Sequence, residues 1–119
     1  MNKKTKKQEK IDRKKEIKKK DKEFAEFIKK RANGRCEYSG EAGYCDTAHI
    51  IPREIEFFRW DEDNAVYLRK KYHKFSNEFS FHKNPFAFML WFSDTHQEQF
   101  IRLVYKWKKY LEEKNELNR

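Results

Sequence analysis

The chain has no run of about 18 apolar residues, so no segment is expected to span a bilayer. Basic residues open it without an apolar stretch behind them, so no signal peptide is expected and a cytoplasmic setting is. The same basic segment carries only Ile11, Ile17 and Phe24 among many lysines, too little for an interfacial helix. Two cysteines, Cys36 and Cys45, give no disulfide framework and are expected as thiols or ligands. There is no internal repeat. Only three glycines and two prolines punctuate the chain, so the few positions they occupy are informative.

What the chain does have is charge and rings. Charged residues make up 41% and hydrophobic ones 37%, which limits the core to a small one. Eleven Phe, six Tyr and three Trp compensate, because large rings bury much apolar area with few residues. A single domain with an appendage is expected. The net charge of +9 is confined to one end. Residues 1–31 hold fifteen Lys/Arg against six Asp/Glu, and residues 32–119 hold fourteen of each. A basic arm on a neutral body suits a polyanion, and nucleic acid fits it better than a membrane surface.

Three stretches follow. Residues 1–20 read as a solvated, partly helical tail, and residues 21–119 as the domain. From Asp21 a helix is expected, with Phe24, Phe27 and Ile28 on one face and Asn33-Gly34 as its stop. Residues 84–117 read as helices. Asn84 is a cap, Pro85 occupies the first helical position, and Phe100, Leu103, Val104, Trp107 and Leu111 have amphipathic spacing. Between them, "YCDTAHII" reads as a short strand ending near His49 and broken by Pro52. "NAVYLRKKYHKF" then reads as a second strand running into a helix that carries His73. In a regular strand Asp46 and His49 point to opposite faces. The fold class expected is α+β, and this order lets His49, Asn64 and His73 converge.

The letters "AHIIPR" (48–53), "RWD" (59–61), Asn64, His73 and a trailing "HKNP" (82–85) resemble the HNH endonucleases, built on the ββα-metal motif, and their small phage-type members most closely. The likeness covers about residues 35–86, with the ββα core at about 35–83. It implies a metal-dependent DNA endonuclease, borne by a phage or mobile element and acting in the bacterial cytoplasm. His49 would be the general base and Asn64 the residue that fixes the loop and thereby the base. His73 would be the ligand of one divalent ion, Mg2+ or Mn2+, that holds the scissile phosphate. The chemistry suits the residue types: histidine titrates near working pH, and a cation offsets phosphate charge. Arg53 and Arg59 are expected as phosphate contacts, with Lys70 and Lys71 beside His73. Duplex or branched DNA is the expected partner, with a phage protein as a further one.

Two departures from the family pattern stand out. Many relatives carry a structural zinc on two Cys-x-x-Cys pairs. Here Ser39, Arg69 and Tyr72 occupy three of the four ligand positions, so no structural zinc is expected, and Tyr38, Tyr72, Phe57, Phe58 and Phe75 are expected to fill its place. Many relatives also place Asp or His directly before the base, where this chain has Ala48. The second ligand is then sought in Asp46 or His82, with Asp61, Asp63, Asn77 and Glu78 as further donors. His96 is expected to be exposed. The alternative to a nuclease is a degenerate HNH fold that binds nucleic acid, or an accessory protein of a nucleoprotein machine, without cutting.

Overall fold

In the computed structural model, which describes residues 3–117, the basic segment and the first predicted helix form one continuous helix, α1 (Lys6–Arg31). The Thr5 hydroxyl accepts from the Gln8 N–H and caps it. The Asn33-Gly34 stop is realised. Both residues have positive φ (56° and 68°), and the Gly34 N–H returns to the Lys29 carbonyl at 3.0 Å. Burial begins in the C-terminal half, at Phe24 and Ile28, and residue 20, where the tail was expected to end, lies within α1. Phe27, expected on the apolar face, is exposed.

Two four-residue strands, β1 (Asp46–His49) and β2 (Ala65–Leu68), pair antiparallel, with Asp46 opposite Leu68 and His49 opposite Ala65. All four β2 residues are buried, which explains their unbroken apolar run. On its other side β2 is closed by Glu37, whose N–H donates to the Tyr67 carbonyl (2.8 Å) and whose carboxylate accepts the Tyr67 N–H (2.9 Å). Between the strands lie a single helical turn, α2 (Glu56–Arg59), and a tight turn at Glu62–Asn64.

The helix expected after β2 is one wide turn only, Lys71–Phe75, closed by the Ser76 N–H on the Lys71 carbonyl. It stops because the chain doubles back. The Phe81 and His82 N–H groups donate to the Tyr72 and His73 carbonyls at 3.1 and 3.0 Å. Two helices then follow, α3 (Pro85–Thr95) and α4 (Gln97–Leu117), separated by a break at His96. Asn84 caps α3 by accepting the Ala87 N–H at 3.0 Å. α4 is fastened to the turn before β2 by Gln99, which donates to the Asp63 and Ala65 carbonyls. Arg102 and Lys106 pair with the buried Asp63, and Lys106 also pairs with Asp61. Among the described residues the mixed helix-and-strand architecture agrees with the α+β expectation, and no helix is long and apolar enough to cross a membrane.

The core is aromatic, though in different groupings from those expected. Tyr38 stacks on Phe79 (centroids 3.6 Å apart), with Tyr72 and Trp91 at its edges. Phe58 belongs to a second group with Tyr110, against which the exposed Phe57 lies, and Phe75 is exposed as well. Cys36 and Cys45 are buried free thiols. Burial pushes the Cys45 thiol up to about 11, so it stays protonated and unreactive at neutral pH.

Candidate active site

A groove of about 760 Å³ runs between α1 and the free edge of β1, and His49, Asp46, His73 and His82 all line it. The expectation that Asp46 would face away from His49 therefore does not keep the two apart. Among the described residues β1 pairs with β2 alone, and Asp46, Thr47 and His49 all line the groove at its other edge. Ala48 shares the Asp46 face but is 1% exposed and points into the core. A carboxylate in place of Ala48 would be buried, and Asp46, two residues earlier, is the one beside His73.

His49 is held by its backbone neighbours. Its Nε2 meets the Arg59 carbonyl oxygen at 2.8 Å, and since a carbonyl only accepts, Nε2 carries the proton. Nδ1 is then the lone-pair nitrogen of a neutral ring. Burial pushes the pKa of His49 below its ordinary value near 6.5, only partly opposed by the Arg59 carbonyl, so the neutral form dominates at neutral pH. The Phe24 ring of α1 lies 5.6 Å from the imidazole and supplies part of that burial.

Asn64 sits beneath this arrangement, fully buried. Its Oδ1 accepts the Ile51 N–H at 2.6 Å, and its Nδ2 donates to the Ile51 and Phe58 carbonyls at 2.9 Å each. The side chain thus closes the loop from Ile51 to Phe58. The residue after that loop, Arg59, carries the carbonyl that orients His49.

His73, Asp46 and His82 form a chain. The Asp46 carboxylate accepts from His73 Nδ1 at 2.9 Å, and His73 Nε2 lies 3.2 Å from His82 Nε2. The doubling back of the chain after Phe75 brings His82 there. Burial lowers the pKa of His73, opposed by Asp46. Among the described residues no three or more His, Cys, Asp or Glu side chains are grouped to hold a metal ion. An open pair of imidazole nitrogens, one of them backed by a carboxylate on its far ring nitrogen, is nonetheless a donor set that fits a divalent ion. Asp46 is placed to orient His73. Asp61 and Asp63 are committed to Lys106 and Arg102 outside the groove.

The expected phosphate contacts divide. Arg53 lines the groove. Arg59 does not, because Asp21 of α1 holds its guanidinium through two bonds of 2.9 and 2.7 Å, and the same carboxylate accepts the Trp60 indole N–H. Lys70 and Lys71 stand outside the groove lining, over the Tyr44 and Tyr72 rings. The lysines that do line it are Lys22, Lys29 and Lys74, none of which sequence reasoning singled out. For Lys22 and Lys29 the available signal was their seven-residue spacing on one helix face.

Comparison of the chain with protein-family models, curated proteins and solved structures gives no match.

Proposed function

We propose that this chain is a metal-dependent DNA endonuclease of the HNH type, hydrolysing phosphodiester bonds in the groove between α1 and β1. The observation that carries the proposal is the state of His49: a neutral ring, fixed through Nε2 to the Arg59 carbonyl, with Nδ1 available as a base. In the proposed step His49 takes a proton from water as its oxygen bonds to phosphorus. The P–O bond to the leaving oxygen breaks, and solvent protonates that oxygen. Asn64 keeps the loop, and hence the Arg59 carbonyl, in place while this happens. Arg53 and Lys74 offer positive charge to the phosphate. His73 and His82 would hold the divalent ion, whose contribution when bound is to offset negative charge on the phosphate. Two nitrogen donors shift the expected ion from Mg2+ towards Mn2+ or a later first-row metal.

The test is nicking of supercoiled plasmid with Mg2+, Mn2+, Ni2+ and Zn2+ in turn. His49→Ala is expected to lower the rate by about 10²–10⁴-fold with folding and DNA binding kept. A mutant that cuts as fast as the parent overturns the assignment of the base. A second reading, a binding module that does not cut, is favoured by the burial of Ala48 and the capture of Arg59 by Asp21. It predicts salt-sensitive DNA binding with no cleavage under any of the four ions.

A further inference from the structure

Charge on α1 is sorted by face. Lys7, Lys14, Lys18, Lys22 and Lys29 recur at intervals of seven, four, four and seven, with Lys15 three positions before Lys18, which places all six along one side of the helix. All six are exposed, and Lys22 and Lys29 line the groove beside His49. The acids of the same helix lie mostly elsewhere on its surface. Asp12 is paired with Lys4, and Glu16 with Arg13 and Lys20. Arg13 also reaches Glu56 of α2, and Lys20 lies over Trp60, so those cations fasten α1 to the body. Among the described residues none of the six lysines takes part in an ion pair.

We propose that this face of α1 is a rigid rail that binds the backbone of duplex DNA and leads it into the groove, in place of a loose arm that adds affinity in any direction. The proposal gives the substrate of the endonuclease an orientation, and it rests on that reading for the choice of ligand. From Lys7 to Lys29 the rail spans about 33 Å at about 1.5 Å per residue. That is about ten base pairs of B-form duplex at about 3.4 Å each. Charge is the complement required, since phosphate contacts fix the register and direction of a duplex without reading its sequence. An anionic membrane fits less well, because the rail face carries only Ile11 and Ala25 as apolar residues and has nothing to insert. Glu26 and Glu54 also line the groove, so the uninterrupted stretch of positive charge is the Lys7–Lys18 half.

Two triple variants with the same charge change decide the matter. One is Lys15→Gln, Lys18→Gln and Lys22→Gln on the rail. The other is Lys6→Gln, Lys19→Gln and Lys30→Gln on the rest of the helix surface. Binding of labelled duplexes of about 10 and about 30 base pairs is read by anisotropy across a salt series in EDTA, so that no cleavage intervenes. Circular dichroism checks the helix. The rail triple is expected to lose about tenfold or more in affinity and to flatten the log–log salt slope by about 2–3, while the control triple changes affinity by less than about threefold. Equal losses in the two triples, no binding of duplex by the parent, or equal affinity of the parent for phosphatidylserine vesicles overturns the rail. Face-dependent binding without nicking under any divalent ion keeps the rail and removes the nuclease. Nicking with equal losses in the two triples does the reverse.

Discussion

Asn64 contributes to stability and to the site through the same three hydrogen bonds. Asn64→Ala would leave the part-buried Ile51 N–H and carbonyl without their partner and the Phe58 carbonyl with the Asp61 N–H alone, at about 1–3 kcal/mol for each group that water cannot reach. A loss of about 3 kcal/mol in urea unfolding is expected, and an unchanged midpoint would show that the loop closes without it. The loop-fixing role of Asn64 was expected only through the family resemblance, since the residues themselves mark no more than a turn there. The commitment of Arg59 was not legible, because its partner Asp21 lies 38 residues upstream and no local pattern links them. The histidines make a second prediction. Burial lowers the pKa of His49, His73 and His96, the last stacked on Phe92 and half-buried where exposure was expected. In the unfolded chain these rings protonate at about 6.5, and in the folded protein only at lower pH. Between the two values the unfolded state binds more protons, so the stability is complete above about 6.5 and is lost as pH falls towards the folded values. Urea midpoints of metal-free protein should therefore drop between about pH 7.5 and about pH 5.5, and a flat profile over that window would contradict the burial of these rings.

At the scale of elements, the joint between α1 and the Arg59–Trp60 corner sets the site. Asp21 bonds both residues, and the Arg59 guanidinium holds its carboxyl below the ordinary carboxylate range. The pair is partly exposed, so Asp21→Ala should cost only about 1 kcal/mol of stability after screening. Nicking should fall by more than that loss explains, because the Arg59 carbonyl that orients His49 then rests on a looser corner. Comparing the melting temperature with the initial nicking rate separates the two, and a rate that tracks only the folded fraction would mean that Asp21 is purely structural. The first strand was legible from alternation, the second from its short apolar run, and the C-terminal helices from the Asn84-Pro85 start and amphipathic spacing. The helix expected to carry His73 is cut to a single wide turn. Its residues have helical propensity, but the backbone bonds from Phe81 and His82 take the Tyr72 and His73 carbonyls that a continuing helix needs. Tertiary pairing outweighed local preference there, and it is also what brings His82 to His73.

For the molecule as a whole, the question is where the basic arm ends and the body begins. α1 is continuous, so the answer lies in burial. Ahead of Asp21 the contacts to the body are rim contacts, chiefly Arg13 with Glu56 and Lys20 over Trp60, the kind worth about 0–1 kcal/mol each. Beyond it, Phe24 at 7% and Ile28 at 0% exposure belong to the apolar core, and Arg31 donates to the Glu62 and Ala65 carbonyls at 2.6 and 2.7 Å. Full burial of two such side chains is worth about 3–6 kcal/mol together, and leaving the Glu62–Ala65 turn without Arg31 adds to the loss. That sum is comparable with the whole stability of a small domain, about 5–15 kcal/mol. Removing residues 1–20 should therefore leave a cooperative thermal transition within a few degrees of the parent, with duplex binding weakened through the loss of most of the rail. Removing residues 1–31 should abolish that transition in circular dichroism and leave the chain open to protease. If the longer deletion still melts cooperatively, α1 is an appendage after all, and Phe24 does not wall the groove at His49.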